Sequence, residues 1–139
     1  MVARVWDEGA VRRTHNGFGG RVTTIDDSGS TYNNHSTHVA GTIIANRWSV
    51  GSNAIKGMAT QASARTFNWT DDESEALSEV ALGMLLSNHS YGVPVTGTGG
   101  TLPSWYIGSY VEDSRAWDEI AYISPYYLPV YSAGNDGTN

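Results

Sequence analysis

Apolar and polar positions alternate along the chain in short blocks, and the blocks predict strands and helices in turn. Val2 to Trp6 is an apolar run that ends at Asp7-Glu8-Gly9 and reads as a first strand. Arg21 to Ile25 reads as a second, inside a turn-rich stretch from Gly17 to Ser30. From Thr37 the residues Val39, Ala40, Ile43 and Ile44 recur at helical spacing, which predicts a helix closed by Asn46 with His35 at its start. Gly41 in their midst is costly in a helix, so another segment is expected to pack closely there. Ala62 to Trp69 reads as a strand. Asp71-Asp72-Glu73 opens a helix in the manner that suits the helix dipole, and Ala76, Val80, Ala81 and Met84 continue its apolar face. Met84 to Asn88 returns as a strand, Gly92 to Gly108 is irregular, Tyr110 to Ile123 is helical and stops before Pro125, and Leu128 to Ser132 is the last strand. Strands separated by helices indicate βαβ units. The expected fold class is therefore α/β with a largely parallel sheet, and functional residues belong at the carboxyl ends of its strands.

Length and composition narrow this picture. A chain of 139 residues is one domain's worth, so a separate cofactor module is excluded. Leu, Ile, Val and Phe are scarce, but five Trp and eight Tyr supply apolar bulk, and only 16% of residues are charged, so the chain reads as globular. A net charge of −6 with a single basic doublet, Arg12-Arg13, argues against nucleic acid as a partner. Zero cysteines exclude a disulfide framework, a thiol nucleophile and a Cys-ligated zinc site. No apolar run approaches a membrane span, and the first residues do not form a signal peptide.

Two residues lie where such a sheet presents chemistry, Asp7 directly after the first strand and His35 at a helix start. A carboxylate that orients an imidazole, which then takes a proton from a hydroxyl, is what makes a serine nucleophilic near neutral pH. Taken singly, an Asp-x-Gly is usually a turn and a histidine at a helix start is usually a cap or surface residue. His38, three residues after His35, could suggest a metal pair, but there is no His-Glu-x-x-His and Ser36 holds the glutamate position, so no metal site is expected. His38 is expected to be a packed, hydrogen-bonded structural histidine, His15 a surface or loop histidine, and His89 a strand residue facing away from substrate.

The motifs taken together are more specific. His35-Ser36-Thr37-His38-Val39-Ala40-Gly41-Thr42 resembles the histidine motif of the subtilisin-like serine proteases (peptidase S8), with serine where many members have glycine. Val5-Trp6-Asp7-Glu8-Gly9 is similar to their aspartate motif, with Glu8 where Ser or Thr is usual. Ser87-Asn88-His89-Ser90-Tyr91-Gly92 is similar to their substrate-binding strand, and Val130-Tyr131-Ser132-Ala133-Gly134-Asn135-Asp136-Gly137 to their oxyanion-hole motif. The four stand in family order from residue 5 to residue 137, and their wording resembles secreted subtilases of Bacteroidetes-type bacteria.

The resemblance implies a three-layer fold with a mainly parallel sheet, incomplete in this chain, which reads over residues 1–139 as part of a protease catalytic domain. It implies that Asp7 orients the base, that His35 acts as general base and then general acid, and that the side-chain amide of Asn135 donates to the oxyanion. Ser90, Tyr91 and Gly92 would pair with an extended peptide, and Ser132, Ala133 and Gly134 would form the other wall of the first specificity pocket. The partner implied is a protein or peptide substrate in a secreted or extracytoplasmic, bacterial setting. No cofactor is required for the chemistry. A structural calcium cannot be carried over, because Asn46 to Lys56 differs from the family's calcium loop and lacks carboxylates.

One departure matters most. The four Gly-Thr pairs are followed by Ile43, Gly99, Leu102 and Asn139, so the family's Gly-Thr-Ser nucleophile motif is absent, as is Gly-x-Ser-x-Gly. In the family the serine follows the oxyanion asparagine, so it is expected beyond this sequence. The chain then reads as an internal piece, inactive alone and inclined to self-associate or to bind its own C-terminal fragment. The alternative is a noncatalytic peptide-binding fragment or pseudoprotease. Trp105 and Tyr106 are read either as a wall of the substrate cleft or as a small satellite core, and the sequons at Asn34, Asn68 and Asn88 as chance matches.

Overall fold

The structure is a computed structural model that describes residues 1–26, 31–46, 48–51, 53–97 and 100–137. In chain order the elements are β1 (Val2–Asp7), β2 (Val22–Thr24), α1 (Asn34–Ile44), β3 (Trp48–Val50), β4 (Asn53–Ile55), β5 (Ser63–Asn68), a 3-10 turn (Trp69–Asp71), α2 (Asp72–Ala81), β6 (Leu86–His89), β7 (Thr96–Gly97), β8 (Gly100–Thr101), α3 (Glu112–Ile123) and β9 (Leu128–Tyr131). Five strands form one sheet in the order β2-β5-β1-β6-β9, and every pairing in it is parallel. The α/β class, the helix-covered sheet and the parallel strands predicted above are what the fold contains.

Alternation along the strands sends side chains to two cores. Ala3 and Val5 of β1 pack with Ala64 of β5 under Ala40 and Ile44 of α1, together with Val11 and Phe18. Trp6 and Phe67 point the other way, against Ala76 of α2, Met84, Ile120 of α3 and Tyr127. Their rings stack with centroids 4.4 Å apart. Between β1 and α2, Glu79 is buried and accepts from Arg4 Nε (3.0 Å) and from Arg65 Nη2 (2.6 Å). Burial alone would push its carboxyl up, but the two guanidinium groups outweigh that and hold it below the ordinary value.

Several boundaries differ from the sequence reading. The helix expected from Thr37 begins one turn earlier, because the Asn33 side chain accepts from the Ser36 backbone N–H and caps it. The strand expected to reach Trp69 ends at Asn68, whose side chain caps the 3-10 turn. Ala81 is exposed and Glu79 takes the buried place on α2 instead. The stretch compared with a calcium loop carries the β3-β4 hairpin, and a second small hairpin, β7-β8, interrupts the irregular segment. The close approach expected at Gly41 occurs one partner over, at Gly57. A Cβ there would lie 2.6 Å from the Gly41 carbonyl oxygen. The bare backbone lets the N–H groups of Gly57, Met58 and Ala59 donate to Ala45, Thr42 and Ile43, which satisfies the carbonyls at the end of α1.

The α1 layer covers only part of its face of the sheet. Beyond β1, Val5 is in register with Asn88 and Asn88 with Val130, while Leu86 is in register with Leu128; Leu86, Leu128 and Val130 are 41, 61 and 45% exposed. An apolar strip and the β9 edge are thus open to solvent.

Candidate active site

The carboxyl end of β1 meets the amino end of α1, and the meeting point is Asp7. Its side chain is 2% exposed, and Oδ1 accepts three hydrogen bonds: from the Glu8 backbone N–H (2.8 Å), from His35 Nδ1 (2.8 Å) and from Ser36 Oγ (3.0 Å). Oδ2 is buried with no hydrogen-bond partner among the described residues. Because a carboxylate only accepts, Nδ1 of His35 carries the proton, and in the neutral ring Nε2 is left as a basic lone pair. His35 is half exposed, so that lone pair is reachable from solvent.

Asp7 and His35 open onto a cavity of about 300 Å³ at the carboxyl ends of β1, β6 and β9. Of the nine residues singled out from the sequence, eight line it: Asp7, His35, Ser90, Tyr91, Gly92, Ser132, Gly134 and Asn135. Ala133 does not. Gly134 sits at φ +83°, a left-handed backbone that suits only glycine, and this turn carries the chain from β9 to Asn135 at the cavity wall. The two walls are tied by Ser132 Oγ, which donates to the Tyr91 carbonyl (3.3 Å). Asn88 Nδ2 donates to Ser90 Oγ (3.0 Å). Neither serine hydroxyl is bonded to His35. Trp105 and Tyr106 touch each other and lie outside this cavity.

The strand expected over Met84 to Asn88 begins two residues later and ends one residue later. β6 ends at His89, and Ser90 to Gly92 continue without strand pairing. The Tyr91 hydroxyl turns inward to Asp72 and to His89 Nδ1 (2.7 Å). His89 is fully buried, stacked between Trp6 and Tyr131, and its Nε2 meets Ser87 Oγ (2.7 Å), which meets Tyr127 OH (2.6 Å). With Asp72 ionised, one assignment satisfies every member: Tyr127 donates to Ser87, Ser87 to His89 Nε2, His89 Nδ1–H to Tyr91, and Tyr91 to Asp72. Burial pushes the His89 imidazole down to about 4, which keeps the ring neutral. Burial and the Asp72 charge push the Tyr91 phenol up, and burial pushes the Asp72 carboxyl up despite the Tyr91 hydrogen bond. His89 thus faces away from the cavity as expected, while the network around it went unseen. The available signal was the polar pair Ser87 and His89, two apart and therefore on one face of a strand.

His38 is a correction. It is exposed on α1, and its ring has no hydrogen bond among the described residues, because the helix turns that face outward. It lines a larger cavity, about 550 Å³, together with His15, Trp48 and Lys56, whose described lining holds no carboxylate to orient an imidazole as Asp7 does His35. His15 is half-buried, accepting from the Gly17 N–H and lying edge-on to Trp48. Among the described residues, no group of three or more His, Asp or Glu is placed to hold a metal.

The arrangement so far is a buried carboxylate holding an accessible imidazole beside an amide-lined cleft. Residues 12–139 match the subtilase family (peptidase S8). The chain belongs to the subtilase family. The matched span begins after Asp7, so that residue's place rests on the geometry above. This subtilase is similar in fold to a serine-to-alanine mutant of the protease domain of PatA, with a TM-score of 0.65 and 19% identity over 98% of this chain and 50% of that one. It is likewise similar to the patellamide maturation protease PatA, with a TM-score of 0.63 and 21% identity over 99% of this chain and 49% of that one. The subtilase therefore spans about half the length of each. No curated protein matches it.

Proposed function

We propose that this subtilase serves peptide-bond hydrolysis through a serine acyl-enzyme, with Asp7 orienting His35, His35 as general base and acid, and Asn135 as oxyanion donor. The observation that carries the reading is the 2.8 Å contact between His35 Nδ1 and Asp7 Oδ1 at the mouth of a cleft that also holds Asn135. In the first step a serine Oγ bonds to the scissile carbonyl carbon as its proton passes to His35 Nε2, and Asp7 stabilises the imidazolium. The side-chain amide of Asn135 meets the oxyanion. The tetrahedral adduct collapses, the C–N bond breaks and Nε2–H protonates the leaving amine. Water then repeats the sequence on the ester and frees the serine. Ser90 to Gly92 and Ser132 to Gly134 flank the peptide on either side.

The nucleophile in this reading is supplied by a Gly-Thr-Ser segment outside the present sequence. Ser90 and Ser132 have other hydrogen-bond partners and none at His35. Purified chain is expected neither to hydrolyse casein nor to be labelled by a serine-reactive fluorophosphonate. Stoichiometric labelling of any of its serines would sink the assignment. The noncatalytic alternative is decided by adding the segment with the Gly-Thr-Ser motif, after which labelling and turnover must appear.

The protein partner in this proposal is the same further segment, or failing it a second copy. The uncovered strip of Leu86, Leu128 and Val130 beside the open β9 edge supports it, since exposed apolar strand edges recruit pairing partners. Light scattering at several concentrations should show concentration-dependent association. A monodisperse 15 kDa monomer with cooperative unfolding would contradict it. A secreted bacterial origin completes the proposal and rests on the motif wording alone. Among the described residues, no helix is long and apolar enough to cross a membrane.

A further inference from the structure

Ser36 stands where the family motif often has glycine, and its hydroxyl is buried against the carboxylate that holds His35. The three donors on Asp7 are all on one oxygen, Oδ1, while Oδ2 has none. Ser36 cannot easily leave this position. Its side chain is fully buried, and its backbone N–H is fixed by Asn33 Oδ1 (3.0 Å). Asn33 Nδ2 in turn donates to Glu8 Oε1 (2.9 Å), and the Glu8 backbone N–H returns to Asp7 Oδ1. The ring Asp7, Glu8, Asn33, Ser36 is closed. It also gives Glu8 a role other than a second catalytic carboxylate, because its side chain is bound to the helix cap.

We propose that Ser36 is a positioning residue whose hydroxyl shares Asp7 Oδ1 with His35 and so limits the strength of the Asp7–His35 hydrogen bond. The inference rests on the reading of Asp7 and His35 as the catalytic pair. Donors that converge on one acceptor oxygen compete for the same electron density, so each bond is weaker than it would be alone. Ionised acceptors make this matter more, since bonds to a carboxylate are among the stronger ones in a protein. Removing the Ser36 hydroxyl leaves two donors where there were three. The imidazole N–H then takes a larger share of the Oδ1 charge, and the His35 bond tightens.

The test reads that bond directly, without substrate or turnover, so its outcome is separate from that of the peptidase assays. Long-range proton–nitrogen correlation spectra of the chain labelled with ¹⁵N-histidine resolve four imidazoles. Asp7→Asn assigns the His35 Nδ1 signal, which it displaces because the charged acceptor is gone. Ser36→Ala is expected to move the same signal to lower field, by more than a linewidth, as the remaining N–H bond strengthens. Ser36→Gly is smaller still, cannot clash, and is expected to move it the same way. If Ser36 merely props the site, its loss loosens Asp7, the N–H bond weakens and the signal moves to higher field; that result overturns the proposal. An unmoved signal in folded variants overturns it too. So does failure of both variants to fold, which would make the hydroxyl a requirement of the architecture alone.

Discussion

Replacing His35 with alanine is expected to abolish nearly all peptidase turnover of an assembly containing this chain, by about 10⁶-fold in kcat, a magnitude taken from subtilisin itself, the type member of the family. The loss is that large because in the proposed mechanism the imidazole does two jobs at one atom, Nε2, accepting the serine proton and delivering it to the leaving amine. His38→Ala is the informative comparison. The two histidines share one helix face region and one motif, yet only His35 meets Asp7. His38 is solvent-exposed with no described ring partner, so its removal should change stability by less than about 0.5 kcal/mol and leave kcat within a few-fold. Steady-state kinetics on folded samples of both variants decide it, and equal losses of kcat would contradict the assignment.

The second large effect is on stability and runs with pH. His89 is held at about 4 in the folded protein against an ordinary 6.5, and burial is the cause. Above pH 6.5 neither state carries the proton and the contribution is fully present. As pH falls from 6.5 toward 4 the unfolded chain takes up a proton that the folded core refuses, so stability is lost, by about 3 kcal/mol over that interval. Carboxyls act in both directions near the lower end, Glu73 and Glu75, which burial pushes up, and Glu112, which Arg115 holds down, among them. Glu79, held below its ordinary 4.5, loses stability in the same direction; Asp72, pushed above its ordinary 3.8, works in the opposite one. Urea unfolding at stepped pH should therefore show a falling stability between pH 6.5 and 4.5 that His89→Gln flattens, even though that variant is weaker at pH 7. An unchanged slope in the variant would mean that His89 is not the group responsible.

What the sequence disclosed and what it withheld follow one physical line. Strands β1, β5, β6 and β9 were readable because a buried parallel strand is a short apolar block between turn residues, and the gathering of Asp7, His35 and Asn135 at one cleft was readable because their neighbours form ordered motifs. Glu79 was not, since nothing local marks a glutamate whose partners, Arg4 and Arg65, come from two other elements. The inward turn of Tyr91 depends on Asp72 far back in the chain. His38 was expected to be packed and hydrogen-bonded; the helix period places it away from the buried Ser36, Ala40 and Ile44. Local pattern sets elements and motif positions, whereas polar groups satisfied across elements need the assembled fold to be seen.

The sheet order has a consequence for how the molecule comes into being. Among the five described strands of the sheet, β1 precedes the others in the chain yet lies in the middle, and both of its neighbours are made much later: Val2 lies beside Ser63 and Arg4 beside Ser87. At a synthesis rate of about 5–20 residues per second, β1 leaves the ribosome several seconds before β5 exists to pair with it. Helix α1 can start on its own Asn33 cap during that interval, but a lone parallel strand has nothing to hold it. Asp7 is seated only when later strands clasp β1 from both sides. Assembly of this sheet therefore runs against the order of translation, and Asp7 is not held firmly beside His35 until β5 and β6 have joined β1.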